Sequence, residues 1–324
     1  MRKFLLYLLK LVAIIFVVAF SIQFFITNEL KKTPNSLYND WDNIVNGNLN
    51  ADLLIMGSSR ALVSYDSRVF NDKLKLKSYN LGFSAGGYQL QQEKLNLYLQ
   101  KNKKPKIIIQ NIDLAHFNVN KQLPDETQFI PVLENSKVRE FLKKYDSKYE
   151  FVHLIPLLRY NNNFQEFTYG LKSIFGKNKV KESYKTYSGF NPVNKKFKLD
   201  IHNFEKLDNL KVEELDYLKK MDTIITFYKS KFGSDIKIVF VWAPEHKERL
   251  KEKYFQLKKP LLDKLSFICL HNSNYYFINM MENEISYDDN NYYDTFHLND
   301  KGANMFTFKL IEELNKQKVL KNAL

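Results

Sequence analysis

Hydrophobic residues along the chain form one long run, several short runs and a few periodic segments. Residues 4–26 are almost all apolar, which is long enough to cross a bilayer core of roughly 30 Å as a helix. Short apolar runs that end at a glycine or polar turn predict buried strands at residues 51–56, 77–82, 106–111, 236–242 and 276–280. Helical periodicity covers residues 87–100, 208–232 and 301–316, with Gly233 placed as a helix stop. Strands that alternate with helices predict an α/β fold with a parallel sheet covered on both faces.

This alternation stops between about residues 118 and 205, a stretch rich in aromatic residues. Two further helical patterns lie inside it, at residues 136–144 and 149–160. We interpret the stretch as an insertion within a domain that spans residues 51–324. It is either a lid or acceptor platform over the ligand site, or a structural subdomain with no role in binding.

The N-terminal run predicts a membrane anchor over residues 1–27, followed by a tether with a short helix over residues 28–50. A signal peptide is the alternative, but the run ends in the bulky residues Gln23-Phe24-Phe25-Ile26 rather than in a small-residue cleavage site. We therefore expect an uncleaved, single-pass helix in the cytoplasmic or plasma membrane. The short tail before it favours a domain on the periplasmic or extracellular side, although the lysines on the two sides barely discriminate between that orientation and a domain facing the cytoplasm.

Composition excludes several classes of protein. A hydrophobic content of 44% is enough for a packed core, so the chain is not disordered as a whole. The net charge of +13 comes from scattered lysines without a recognised nucleic-acid-binding module, so we predict no nucleic-acid partner. Cys269 is the single cysteine, which excludes an internal disulfide and a cysteine-rich metal site. The histidines lack metal-ligand spacing, and no phosphate-binding glycine loop occurs, so we expect neither a metal nor a cofactor.

The candidate chemistry lies at the two ends of the predicted domain. Gly57-Ser58-Ser59 directly follows the first strand, and Asp294 precedes His297 by three residues near the C-terminus. A serine, a histidine and a carboxylate are the three groups of a serine hydrolase. Ser59 is the predicted nucleophile, His297 the general base and Asp294 the group that orients it, with Ser58 as an alternative nucleophile. Both motifs follow predicted strand ends, where ligand sites of parallel sheets lie.

These motifs resemble those of the SGNH/GDSL hydrolase superfamily over about residues 51–315. The most specific match is Tyr293-Asp294-Thr295-Phe296-His297-Leu298-Asn299 with the following Lys301-Gly302-Ala303; Gly57-Ser58-Ser59 is less specific, and Asn80-Leu81-Gly82 is weak alone. The chain is most similar to membrane-anchored SGNH-like proteins of cell-surface polymer O-acylation, such as DltD-like and AlgX/AlgJ-like proteins. The resemblance implies a three-layer α/β/α sandwich around a parallel, flavodoxin-like sheet.

The resemblance also implies an oxyanion hole made by the backbone N–H groups of Ser59 and Gly82 and by a side-chain amide. In the family that amide belongs to a Gly-x-Asn-Asp block. The matching stretch here is Gln110-Asn111-Ile112-Asp113, which lacks the glycine, and Asn111 is the candidate donor. We further expect Arg60 and Trp242 to contact the substrate.

The expected function is O-acyl transfer or ester hydrolysis, with an acetyl ester of a surface polysaccharide or similar envelope polymer as substrate. The sequence does not discriminate between transferase and esterase. A membrane-bound O-acyltransferase is the partner that the resemblance implies. The alternative is a non-catalytic accessory protein that binds the polymer or that partner.

Overall fold

The computed structural model describes residues 1–117, 122–178, 185–199 and 216–321. The strands in this part of the chain are β1 (Leu53–Met56), β2 (Ser78–Asn80), β3 (Ile107–Asn111), β4 (Lys237–Trp242) and β5 (Tyr275–Asn279). The helices are α1 (Arg2–Lys32), α2 (Leu37–Asn46), α3 (Ser59–Ser64), α4 (Ser67–Leu74), α5 (Tyr88–Leu99), α6 (Ser136–Leu142), α7 (Phe164–Ile174), α8 (Tyr217–Phe232), α9 (Glu252–Leu270) and α10 (Asp300–Lys316). The chain divides into two compact units, one made of Met1–Asn48 and Lys121–Lys185 and the other of Leu49–Asn120 and Thr186–Leu324.

The second unit contains a five-stranded sheet in the order β2-β1-β3-β4-β5. Every neighbouring pair of strands is parallel. This is the doubly wound, flavodoxin-like order, in which the ligand site lies beyond the carboxyl ends of the strands. The α/β class and the parallel sheet predicted from the sequence are confirmed.

Helices cover both faces of this sheet. Alternate residues of β1, β3 and β4, such as Leu53, Ile107 and Val239, share a buried cluster with α3, α4 and α10. The opposite face carries Phe240, whose ring contacts Tyr228 of α8. Burial on both faces explains why the strands appear in the sequence as continuous apolar runs.

The structure corrects one predicted helix and describes another only in part. Residues 149–160 form turns and short 3₁₀ segments instead of an α-helix. Pro156 lies inside this stretch and removes a backbone donor, and Leu157 adopts a φ of 64°, outside the helical region. The predicted helix at 208–232 is observed as α8, which ends before Gly233; its residues 208–215 lie outside the described part of the chain.

The first unit contains the predicted anchor, the predicted tether and the described part of the insertion up to residue 178. α1 continues to Lys32, past the end of the apolar run, and α2 lies where a short helix was expected within the tether. Trp41 of α2 donates a 2.7 Å hydrogen bond from its indole to Gln128. A buried cluster joins both helices to residues 130–160 through Ile26, Leu30, Tyr38, Ile130 and Tyr160. The N-terminal helices are therefore part of a folded unit.

Candidate active site

The turn after β1 places Ser59 at the first position of α3. Gly57 is required there because a Cβ atom at this position would lie 2.5 Å from the Cβ of Ala61 and 2.9 Å from the Cβ of Asn111. The chain therefore turns tightly from strand to helix, and the Ser59 side chain stands at the carboxyl end of β1.

A short loop before α10 carries the histidine and its carboxylate. The Asp294 Oδ1 atom accepts the backbone N–H groups of Phe296 and His297, each at 2.7 Å. The Asn299 side chain caps α10 by accepting the N–H of Gly302 at 3.0 Å. These local bonds, between residues two to three apart, explain why an Asp-x-x-His segment can form its geometry without help from distant residues.

The structure brings Ser59, His297 and Asp294 together. Ser59 Oγ lies 2.8 Å from His297 Nε2, and His297 Nδ1 lies 2.9 Å from Asp294 Oδ2. Burial alone would raise the pKa of Asp294, but the hydrogen bond and charge of His297 and the two backbone N–H groups hold that pKa below its usual value. An ionised Asp294 accepts the proton on Nδ1 and leaves Nε2 to accept the hydroxyl proton of Ser59.

Ser58, the alternative nucleophile, points elsewhere. Its hydroxyl donates to Asp113 Oδ2 at 3.2 Å, and the side chain is buried. The geometry therefore favours Ser59, the serine that contacts His297.

The His297 ring is held by aromatic neighbours from its own loop. Tyr293 stacks on it at a centroid distance of 5.2 Å, and Phe296 meets it edge-on at 4.9 Å. The Phe296 ring also contacts two cations, with the guanidinium carbons of Arg249 and Arg60 at 4.5 Å and 5.0 Å from its centroid. Both arginines thus support the ring that packs against the proposed base.

Arg60 and Trp242, predicted to contact the substrate, are both fully buried at 0% exposure. Arg60 donates from Nη2 to the carbonyl oxygens of Ala243 and Pro244, each at 2.8 Å. Neither side chain is accessible to a substrate, so the prediction that they contact the substrate is corrected. Both residues are buried behind the site and stabilise the segments that form it.

The partner of these buried groups is Glu245, a role that was not predicted from the sequence. Its carboxylate accepts a hydrogen bond from Lys258 and one from the Trp242 indole at 2.9 Å, and it lies 3.6 Å from both Arg60 and Arg249. Burial would raise the pKa of Glu245, but Lys258, Arg249 and Arg60 together lower it to about 2. Burial lowers the pKa values of Lys258 and Arg249 more than Glu245 raises them, because one carboxylate serves three cations.

The expected oxyanion donors are only partly available. The Gly82 N–H donates to Asn80 Oδ1 at 2.8 Å. Asn111 is fully buried, accepts the Tyr65 hydroxyl at 2.8 Å and donates to Asp113 at 3.0 Å. Within the described residues, the N–H of Ser59 has no acceptor. Of the three predicted donors, Ser59 alone presents its N–H without an existing partner.

The turn that follows β2 contains a strained residue that could not be predicted from the sequence. The N–H of Phe83 donates to the carbonyl of Gly57 at 3.1 Å, and the N–H of Gly86 closes the turn on Phe83 at 3.0 Å. Ala85, which is exposed, adopts a φ of 54° within this turn. That left-handed conformation costs an alanine roughly 1–2 kcal/mol. Strain of this kind concentrates at functional sites, and this turn is hydrogen-bonded to the turn that carries the serine.

The last described part of the insertion, residues 185–199, lies beside the same loops. The N–H of Asn191 donates to Leu62 of α3 at 2.9 Å, and the N–H of Lys198 donates to Tyr293 at 3.0 Å. This segment therefore connects the helix that bears Ser59 with the loop that bears His297. The proposed lid or acceptor platform remains a prediction, and residues 118–121, 179–184 and 200–205 lie outside the described part of the insertion.

No protein-family model and no curated protein matches this chain. Among solved structures, it is similar to a protein from Streptococcus pneumonia provisionally named platelet activating factor, with a TM-score of 0.41 and 10% identity over 95% of this chain and 98% of that one. It is also similar to a family two carbohydrate esterase from Clostridium thermocellum in complex with cellohexaose, with a TM-score of 0.35 and 8% identity over 82% of this chain and 63% of that one. Because both TM-scores are below 0.5, neither likeness assigns a function, and the site geometry carries the inference that follows.

Proposed function

We propose that this chain is a membrane-anchored serine esterase or O-acyltransferase of the SGNH type. The observation that carries the proposal is the continuous hydrogen-bonded row from Ser59 Oγ through the His297 ring to Asp294, with distances of 2.8 Å and 2.9 Å. The parallel sheet with the serine at a strand end and the Asp-x-x-His segment before the last helix supports the SGNH assignment. A hydrophobic N-terminal helix, long and apolar enough to span a bilayer, supports the anchor.

The reaction would proceed through an acyl-enzyme. Ser59 Oγ attacks the ester carbonyl carbon while its proton passes to His297 Nε2, and Asp294 stabilises the resulting imidazolium. Collapse of the tetrahedral intermediate breaks the bond to the leaving alcohol, which takes the proton from Nε2. A second hydroxyl group then gives its proton to His297 Nε2 and attacks the acyl carbonyl, and the new tetrahedral intermediate collapses with release of Ser59 Oγ, which takes that proton back from Nε2. Water as this acceptor gives an esterase, and a sugar hydroxyl gives a transferase.

The proposed substrate is an acyl ester, with acetyl as the first candidate, of a cell-surface polysaccharide or similar envelope polymer. The anchor would hold the domain at the outer face of the membrane, where such polymers lie. A membrane-bound O-acyltransferase is the proposed partner, since an acyl donor would have to reach that face through the bilayer. These assignments follow from the family resemblance and the anchor.

The test measures whether Ser59 reacts as a nucleophile. The full-length protein in detergent is used because Ile26 and Leu30 of α1 are part of a buried cluster. It is treated with a fluorophosphonate and with an activated acetyl ester, and intact mass and ester turnover are recorded for Ser59→Ala, His297→Ala and the matched control Ser58→Ala. We expect adduct and turnover to be lost in the first two variants and kept in the third. A wild-type protein that is folded and unreactive, or that loses its adduct in Ser58→Ala alone, would contradict the proposal.

A non-catalytic accessory role is the second candidate, and the occupied donors favour it. The N–H of Gly82 and the amide of Asn111 are engaged with other groups, whereas removal of a single oxyanion donor typically costs about 2.7–4 kcal/mol of transition-state stabilisation. Polymer acylation in cells separates the candidates. Ser59→Ala lowers acylation if the serine transfers the acyl group to the polymer, raises it if the serine hydrolyses polymer esters, and leaves it unchanged if the chain only binds.

A further inference from the structure

The first unit exposes an unusual number of large apolar side chains outside α1. They occur in the turn at residues 151–155 and along α7. We call this set the apolar collar, and its members are Phe151, Leu154, Ile155, Phe164, Leu171, Ile174 and Phe175, each 39–70% exposed. Clustered exposure of this kind marks a binding surface and not a random feature of a soluble domain.

On α7 the exposed apolar residues form a stripe. Phe164 and Leu171 of α7 and the C-cap residue Phe175 are spaced by seven and four residues, so they fall along one side of the helix and its end. Glu166 and Gly170, the buried residues of α7, lie on the opposite side. α7 therefore exposes an apolar face and buries Glu166 and Gly170, which is the reverse of the usual arrangement in a soluble unit.

Close contacts fix this region against the second half of α1. Gly170 packs so tightly that a Cβ atom there would lie 2.5 Å from Cγ2 of Ile26. The N–H of Leu157 donates to Gln23 Oε1 at 2.7 Å, and the hydroxyl groups of Thr27 and Tyr160 lie 3.0 Å apart. These contacts place Gly170 of α7 and residues 157–160, which adjoin the collar residues in sequence, against residues 23–27 of α1.

Residues 23–27 lie where a membrane-spanning α1 leaves the hydrocarbon. A span needs roughly 20 residues to cross a core of about 30 Å, so a span that begins at Phe4 ends near Gln23. Residues 1–18 are exposed, and the first buried residue of α1 is Gln23. The collar therefore lies at the boundary between acyl chains and headgroups.

We infer that the apolar collar inserts into the lipid interface of the membrane that α1 spans, on the side of the folded domain. The inference rests on the proposed membrane anchor. A bilayer interface suits the surface because it accepts phenylalanine and leucine side chains at shallow depth and lies next to the end of α1. Exposed Lys172 and Lys177 flank the stripe and would contact anionic headgroups. With a transmembrane helix and a collar, the first unit has two contacts with the bilayer and a fixed tilt.

The test places an environment-sensitive fluorophore at single cysteines in the full-length chain. Cys269→Ser removes the native thiol, and reporters are introduced by Phe164→Cys and Phe175→Cys. Glu140→Cys on α6 is the matched aqueous control, since its side chain is 68% exposed in the same unit, and Ile14→Cys reports on α1. Each protein is placed in a nanodisc, one chain per disc, and quenching by nitroxide-labelled lipid is compared with quenching by aqueous iodide. Thermal unfolding shows that each variant is folded.

We expect the labels at residues 164 and 175 to be quenched by lipid nitroxide and shielded from iodide, with emission shifted to shorter wavelength relative to residue 140. Lipid quenching at residue 14 together with iodide quenching at residues 164 and 175 would overturn the inference and leave the collar as a surface for a protein partner. Absence of lipid quenching at residue 14 would overturn the membrane anchor itself, and the inference with it.

Discussion

The Asp294→Asn variant separates two roles of one carboxylate. Oδ1 of Asp294 accepts the backbone N–H groups of Phe296 and His297 at 2.7 Å, and Oδ2 lies 2.9 Å from His297 Nδ1. Asparagine keeps an oxygen for the two backbone donors. It replaces the acceptor that faces Nδ1 with an amide that donates.

The size of the effect follows from the tautomer. With an amide opposite it, Nδ1 of His297 becomes an acceptor, so the ring proton moves to Nε2, which lies 2.8 Å from Ser59 Oγ. A protonated Nε2 cannot take the hydroxyl proton. The equivalent substitution in a serine protease lowers kcat by about 10⁴. That factor corresponds to about 5 kcal/mol of transition-state stabilisation. Stability should fall by no more than about 2 kcal/mol, because the loop keeps its backbone hydrogen bonds and loses one charge-assisted bond.

The assay measures the rate of Ser59 phosphonylation by a fluorophosphonate, the turnover of an activated acetyl ester and the free energy of unfolding. Asp294→Ala is the matched variant, since it also removes the acceptor for the two backbone donors. We expect a similar loss of rate in both variants and a larger loss of stability in Asp294→Ala. A folded Asp294→Asn protein that reacts within tenfold of the wild-type rate would refute the reasoning, because His297 would then not depend on Asp294 for its tautomer.

Two further predictions concern buried contacts. Gly170→Ala should lower the free energy of unfolding by about 1–3 kcal/mol, because its Cβ would lie 2.5 Å from Ile26 Cγ2. The loss should be smaller in an Ile26→Ala background, which removes that atom. Denaturant titrations in which the two substitutions have additive effects would contradict the contact. Glu245→Gln should cost about 3–5 kcal/mol at pH 7, since three buried cations lose their carboxylate. The pKa of Glu245 is lowered to about 2, so its charge stabilises the fold fully above the ordinary value of 4.5, and this contribution is lost as the pH falls from 4.5 towards 2. Between pH 7 and pH 2 the free energy of unfolding should therefore fall less in Glu245→Gln than in the wild type. An equal fall in both proteins would contradict the assignment.

The elements of the sheet could be predicted from the sequence because both faces of each strand are buried. Runs such as Ile107–Asn111 are then continuously apolar and stand out from helical periodicity. The Asp-x-x-His segment was predictable for a different reason, since its geometry depends on hydrogen bonds between near neighbours. Ser59 needed only a tight turn after a strand, which Gly57 indicates.

The support of the site could not be predicted in this way. An arginine next to a nucleophile is expected to face the substrate, yet Arg60 is buried against Glu245, which lies far away in sequence. Only the folded chain shows that Ala243 and Pro244 offer two carbonyl acceptors to its guanidinium. Burial of charge depends on such distant partners, so local sequence carries no signal for it.

The predicted tether shows the same limit. Residues 28–50 look like a polar connection because Lys31, Lys32 and several asparagines dominate their composition. The apolar residues of this segment fit one short helix but do not show what that helix packs against; they are Leu30, Leu37, Tyr38, Trp41, Ile44, Val45 and Leu49. Several of them become a core when Gln128, Phe129 and Ile130 from the insertion pack against them. A sequence pattern describes one segment at a time, whereas part of the packing surface here comes from a segment far later in the chain.

The strained turn near Ser59 leads to a prediction in which stability and rate change in opposite directions. Ala85 holds a φ of 54°, a conformation that glycine adopts without the roughly 1–2 kcal/mol that it costs an alanine. Glycine also gains more conformational entropy in the unfolded chain, which offsets about 0.4–1 kcal/mol. Ala85→Gly should therefore leave the protein equally stable or up to about 1.6 kcal/mol more stable.

The rate should fall in the same variant if the turn is held rigid for catalysis. The turn is hydrogen-bonded from Phe83 to Gly57, so a looser residue 85 would loosen the backbone beside Ser59, where the oxyanion of the intermediate forms. We expect kcat for an activated ester to drop by about tenfold or more while KM changes little, because the turn would act on the transition state and not on substrate binding. Ser84→Ala is the matched control, since Ser84 is also exposed in this turn and its replacement leaves residue 85 unchanged. A stable Ala85→Gly protein with unaltered kcat would show that the left-handed residue only shapes the loop. A second oxyanion donor beside the Ser59 N–H would then have to come from Gly82, whose N–H must first break its hydrogen bond to Asn80.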